Sequence, residues 1–305
     1  MPINPKLISD RRGALESQFP IWPRDTLATH FSKSCIKYSE RPFIYIEGAT
    51  ITYSEVWENA LKYAKSLLNL GVKRRDHIAI LMENDLAYPS LMIASSLIGA
   101  VFIPINTMLG EDELEYILCQ SDAQFLIAHQ NIKGNHHGNV IAKLLGKPVF
   151  RSKSQLKQVI CIHNEDDQLD DRFQSWDDFC KGSESVKDEE IELRWKNTLY
   201  PDEIAVILYT SGSTGKPKGV MLTNDMLLRS SYSTCLSRAI EDGRVTFAPL
   251  PFYHCFAIVE GILAMSFVGG AVVSASKFTP LSALQMMEKF QANDFLCVPS
   301  MLVPF

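Results

Sequence analysis

Apolar and polar positions recur in a strand–helix–strand rhythm through the first 130 residues. Phe43 to Glu47 reads as a strand, and Ile51-Thr52 pairs back on it across a turn at Gly48. Thr52-x-x-Glu55 has the form of a capping box, in which each side chain satisfies the other residue's backbone N–H. A helix is therefore expected from Tyr53 to about Leu70, stopped by Gly71. His77 to Leu81 is apolar enough for a buried strand. A helix from Leu86, a strand over Val101 to Ile105, a short helix over Glu111 to Cys119 and a strand over Phe125 to Ala128 follow. Strands alternating with helices at this spacing predict an α/β fold with a largely parallel sheet.

The pattern loosens from Asn131 to Arg194, where only Val159 to Ile162 has a strand-like run. Asn135-His136-His137-Gly138 reads as a loop, and the acidic stretch Glu165 to Asp178 reads as a solvated face. Regularity returns with Ile204 to Tyr209, an apolar strand. After it come strands at Val220 to Leu222 and Val245 to Ala248, and a helix from about His254 to Phe267, closed by Gly269-Gly270. A strand at Ala271 to Ser274, a helix over Leu281 to Phe290 and a strand at Phe295 to Val298 end the pattern. The expected organisation is a first α/β part over 1–130, a variable region over 131–194 and a third part over 195–305.

Composition narrows the classes. A net charge of −5 and short basic clusters (Lys73 to Arg75, Arg151 to Lys157) leave no electrostatic footprint for nucleic acid. The seven cysteines form no C-x-x-C and are odd in number, which fits reduced thiols in a cytoplasmic protein rather than a disulfide framework or a zinc site. His136-His137 has no partner at metal-ligand spacing, so no metal residues are assigned. The one long uncharged stretch, Leu86 to Leu109, is broken by Pro89, Gly99, Pro104 and Asn106 and reads as a buried helix and strand, not a membrane span. Peripheral membrane contact stays open.

The chemistry concentrates after Tyr209. Thr210-Ser211-Gly212-Ser213-Thr214-Gly215-Lys216-Pro217-Lys218-Gly219 puts four hydroxyls, three glycines and two lysines into ten residues. Glycine permits left-handed backbone and close approach, so successive N–H groups can turn inward as an anion nest, while hydroxyls and ammonium groups complete a polyphosphate site. A P-loop would run straight from G-K-[ST] into a helix. Here Pro217 follows the lysine, the chain continues extended through Val220-Met221-Leu222, and the next helix starts only at Thr223 or Asn224.

Tyr209 to Val220 resembles the phosphate-loop signature of the AMP-forming adenylating enzymes, the superfamily of acyl- and aryl-CoA synthetases, luciferases and amino-acid adenylation domains. Ile51 to Glu55, Leu97 to Asn106 and Leu250-Pro251-Phe252-Tyr253-His254 are similar to further landmarks of that family, in the same order. The resemblance implies the large N-terminal domain of such a ligase: a layered sandwich of mixed, largely parallel sheets with helices. It implies ATP phosphates held by Thr210, Ser211, Gly212, Ser213, Thr214, Gly215, Lys216, Lys218 and Gly219, with Mg2+ and coenzyme A as further requirements. It gives His254 a place at the acid. Amino-acid-activating members carry an aspartate there, so a simple organic or fatty acid is expected, with fatty-acid and carnitine-type CoA ligases the nearest in appearance.

Several later family elements are not found: the segments whose glutamate holds Mg2+ and whose aspartate binds ribose, and the small C-terminal domain with its lysine. The chain closes on the apolar Val298 to Phe305. The expectation is an incomplete domain, inactive by itself, from a parent that makes acyl-adenylate and then a CoA thioester. The alternatives are a non-catalytic nucleotide-binding product and an adenylating enzyme that loads a carrier-protein thiol.

Overall fold

A computed structural model describes residues 5–164, 167–198, 200–210, 215–275 and 278–302. In chain order the elements are α1 (Pro5–Gln18), α2 (Leu27–Tyr38), β1 (Pro42–Ile46), β2 (Ala49–Thr52), α3 (Tyr53–Asn69), β3 (His77–Leu81), α4 (Ala87–Ile98), β4 (Val101–Pro104), α5 (Glu111–Gln120) and β5 (Phe125–His129). Then come β6 (Asn131–Ile132), β7 (Asn135–His136), α6 (His137–Gly146), α7 (Pro148–Lys153), β8 (Gln158–Ile162), β9 (Phe173–Ser175), α8 (Trp176–Lys181) and α9 (Asp188–Lys196). The chain continues through β10 (Ile204–Thr210), β11 (Lys218–Thr223), α10 (Asn224–Arg238), β12 (Val245–Phe247), α11 (Ala264–Val268), β13 (Ala271–Ser274), α12 (Pro280–Lys289) and β14 (Asp294–Phe295).

These elements form two compact units. One comprises 1–57, 200–202 and 224–305; the other comprises 58–199 and 203–223. The first unit holds a sheet in the order β14-β12-β13-β1-β2, parallel except for the β1–β2 hairpin. Its centre is aromatic. Phe31, Phe43 and Tyr53 pack within 4.6–5.6 Å of one another, and the Tyr53 hydroxyl lies 3.0 Å from Met265 O and 2.8 Å from Gly270 O. The capping box at the start of α3 forms as expected: Thr52 N–H donates to Glu55 Oε2 at 2.7 Å, and Glu55 N–H to Thr52 Oγ1 at 3.3 Å.

The second unit holds the larger sheet, β11-β10-β4-β3-β5-β8-β9, parallel except for β11. The chain leaves β3 for β4 on one side and then returns to β5 on the other, so the sheet has a topological switch at β3. In open α/β sheets ligands collect at the carboxyl ends of the strands near such a switch. The core on one face is aliphatic, with Leu81, Leu114, Ile117, Leu126, Ile141 and Phe150 at 1% exposure or less. Leu86 to Leu109 divides into α4 and β4 as the pattern predicts, and no described helix is long and apolar enough to cross a membrane.

Three expectations change. Helices α1 and α2 precede the first strand, where the hydrophobic pattern marked no element; α1 is largely polar and is held by Arg12, which donates to Leu236 O and Ser237 O. His137-Gly138 is not loop but the start of α6, and α7, α8 and α9 also fall in the stretch with little apolar periodicity. These are short helices held by tertiary packing, such as Tyr63, Trp176 and Phe179 in one aromatic cluster. The last strand is β14, Asp294–Phe295; Leu296 to Val298 are not strand, and a single tight helical turn, Pro299–Met301, follows them.

Candidate functional site

The described ends of the glycine-rich motif lie on a β-hairpin in the second unit. β10 and β11 pair antiparallel, with Tyr209 opposite Gly219 and Thr210 opposite Lys218. Burial dictates where the hairpin leaves the sheet: Ala205 to Leu208 are buried, Tyr209 is half-buried and Thr210 is exposed. At its other end β10 is pinned by Glu203, which accepts from Arg74 Nε at 3.1 Å and from Arg75 Nη2 at 2.8 Å. A strand fixed at its base and freed at its tip presents that tip at the carboxyl edge of the sheet.

Gly215 has φ +89° with nothing within 4 Å of where a Cβ would stand, so the requirement for glycine there is the backbone conformation itself. At Gly219 the reason is space: a Cβ would stand 3.0 Å from Ile207 Cγ2 and 3.3 Å from Tyr209 Cζ. The Tyr209 ring thus lies across the returning strand at Gly219. Its hydroxyl bonds Gln120 Oε1 on α5. Burial pushes the Tyr209 phenol up to about 12, so it stays protonated as the donor in that bond. Lys216 and Lys218 are exposed, and the Lys216 ammonium sits 5.2 Å from the centroid of the Tyr116 ring. Ser211, Gly212, Ser213 and Thr214 lie outside the described residues.

His254 belongs to the first unit. It is exposed, and its Nδ1 accepts from Phe256 N–H at 3.3 Å, which leaves the ring proton on Nε2. The ring therefore caps the start of a helix that runs to Val268 and includes a π-helical turn, Ala257–Leu263. A π turn displaces backbone carbonyls from their usual partners. Here Arg238 Nη1 donates to Glu260 O at 3.3 Å, and Ser266 Oγ to Leu263 O at 2.7 Å. Ser266 Oγ in turn accepts from His30 Nε2 at 2.8 Å. Burial drives the His30 imidazole down to about 3, with Lys33 adding to the shift, so His30 is a neutral structural donor.

The structure brings Thr210 against Lys218 on paired strands and sets Gly215 and Lys216 in the turn between them. His136 and His137, left unassigned from sequence, have protein partners: His136 Nδ1 meets Asn131 Oδ1 at 2.6 Å and His137 Nε2 meets Thr107 O at 3.1 Å. Tyr209, Tyr116 and Gln120 were not anticipated as site residues. Tyr209 stood at the head of the glycine-rich motif, but for Tyr116 and Gln120 the sequence offered only their i, i+4 spacing, which does not say what they face.

The family model described as AMP-binding enzyme matches residues 31–305. The chain belongs to the AMP-binding enzyme family. An acyl-CoA synthetase of Bacillus subtilis (strain 168) is 30% identical over 91% of this chain and 52% of its own length. A medium-chain fatty-acid–CoA ligase of Escherichia coli (strain K12) is 26% identical over 92% of this chain and 47% of its own. Other relatives are named for feruloyl, 2-succinylbenzoate and crotonobetaine/carnitine ligation. The chain thus spans about half the length of the curated relatives it matches. In fold it is similar to a long-chain-fatty-acid CoA ligase crystal structure from Rhodopseudomonas palustris, with TM-score 0.74 and 23% identity over 91% of this chain and 64% of that one. The layered arrangement of mixed sheets with helices is that of the N-terminal domain of adenylate-forming ligases.

Proposed function

We propose that this chain contributes the phosphate-binding half of a ligase that activates a carboxylic acid with ATP and passes the acyl group to coenzyme A. The observation that carries the reading is the returning side of the hairpin: left-handed Gly215 followed by exposed Lys216 and Lys218, next to a sheet-paired stem. Thr210, Ser211, Gly212, Ser213, Thr214 and Gly219 complete the proposed phosphate contacts. The substrate carboxylate attacks the α-phosphorus, the bond to the β-phosphate oxygen breaks, and pyrophosphate leaves with that electron pair. The CoA thiol then attacks the acyl carbon, loses its proton and expels AMP. For the first step a protein supplies mainly position and charge neutralisation, and two ammonium groups on a fixed hairpin suit pyrophosphate as it departs.

Mg2+ bound with ATP would add charge neutralisation at the phosphates; among the described residues no cluster of three or more His, Cys, Asp or Glu is placed to hold it. His254 is assigned to the acid side. An imidazole there, unlike a carboxylate, offers no negative counter-charge to an α-ammonium, which supports a fatty or other simple organic acid. An odd number of cysteines with no C-x-x-C spacing supports a cytoplasmic setting.

The test is exchange of labelled pyrophosphate into ATP, run on this chain and on a polypeptide that extends it to its relatives' length. Exchange that requires a carboxylic acid, and that Lys218→Ala lowers by about one to two decades, is the expected result, since a hydrogen bond to a charged group contributes about 1.5–3 kcal/mol. Acid-independent ATP hydrolysis with no acyl-AMP would overturn the reading.

A further inference from the structure

The outgoing stem and the turn of the hairpin meet one face of α5. Tyr116 and Gln120 are one helical turn apart; Gln120 holds Tyr209 on the outgoing strand, and Tyr116 lies under Lys216 on the returning side. The Tyr116 ring is half-buried and packs against the aliphatic core, so its exposed face is a fixed platform rather than a mobile side chain. The Lys216 ammonium lies against the ring face. Lys218, two residues on, stands exposed on β11.

We propose that Tyr116 is a positioning residue that competes with the polyphosphate for Lys216. In the free protein the ammonium is seated on the ring; a bound polyphosphate draws it off, so the site binds through the fraction of molecules in which Lys216 is released. This rests on the reading of the hairpin as a phosphate site and adds to it a seat from which one of its two cations is recruited. Attraction of an ammonium to an exposed aromatic face, converted into the fraction of lysine released, weakens apparent affinity roughly two- to fivefold.

The experiment measures binding of inorganic tripolyphosphate to the 305-residue chain by calorimetry, together with the NMR shifts of the Lys216 side-chain methylenes. Tyr116→Leu is expected to bind about two- to fivefold more tightly than the unsubstituted chain. The gain should vanish in a Lys216→Ala background and persist in a Lys218→Ala background. Tyr116→Phe keeps the ring face and should match the unsubstituted chain, which also serves as the folding control. The Lys216 methylenes should show an upfield ring-current shift that disappears in Tyr116→Leu and on adding tripolyphosphate. No ring-current shift in the free chain, or equal tightening with and without Lys216, overturns the seat while the phosphate site stands on its response to Lys218→Ala. If neither Lys216→Ala nor Lys218→Ala changes tripolyphosphate binding, the phosphate site itself falls, and the competition with it.

Discussion

His30 shows how one buried side chain ties a helix irregularity to pH. Its Nε2–H serves Ser266, which serves Leu263 O at the π turn. The folded imidazole titrates near 3 and an unfolded one near 6.5, so below about 6.5 the unfolded chain takes up a proton that the folded chain refuses. Stability conferred by neutral His30 is complete above 6.5 and declines as pH falls toward 3, by at most about 1.4 kcal/mol per unit. Urea unfolding of the chain at pH 7 and pH 5 should lose more stability than that of His30→Gln across the same interval. Equal losses would mean that His30 is not held neutral. Gly219 makes a second argument at this scale. Alanine in place of glycine within a strand ordinarily stabilises by about 0.5–1 kcal/mol. With a Cβ only 3.0 Å from Ile207 and 3.3 Å from the Tyr209 ring, Gly219→Ala should instead destabilise, by about 1–3 kcal/mol, and a stabilised variant would refute the packing described.

Among the elements, the hairpin and α3 carry the clearest consequences. Tyr209 joins β10 to α5 through Gln120, so Tyr209→Phe removes the bond while keeping the ring over Gly219. A neutral hydrogen bond contributes about 0.5–1.5 kcal/mol, and the expected loss on thermal unfolding lies in that range, with hydrogen exchange accelerated at the β10–β11 tip. Helix α3 opens with reciprocal bonds between Thr52 and Glu55, and the same contacts lower the Glu55 carboxyl below its ordinary value. Thr52→Ala should cost about 1 kcal/mol on denaturant unfolding. The capping box was legible because both partners sit within four residues. The hold of α5 on the hairpin was not, because Gln120 and Tyr209 are 89 positions apart.

For the whole molecule, membership of the AMP-binding enzyme family names no acid, since relatives are named for aliphatic and aromatic acids alike. A panel of acids offered to the extended ligase should favour fatty or other non-amino acids; free amino acids turning over faster would remove His254 as the discriminator.

What the sequence determined by itself is local. Strand and helix periodicity, the capping box, the Pro217 that bars a P-loop helix, and the glycine, hydroxyl and lysine content of Thr210 to Gly219 are all written in neighbouring residues, whose interactions act over one turn or one strand. Tertiary structure decided the rest. It cast the motif as an antiparallel hairpin at the edge of a seven-stranded sheet, gave Gly219 its steric role under Tyr209, and turned His254 Nδ1 into a helix cap. It also built short helices where periodicity was faint. Packing joins residues tens to hundreds of positions apart, and no local pattern of hydrophobic and polar residues encodes which of them will meet.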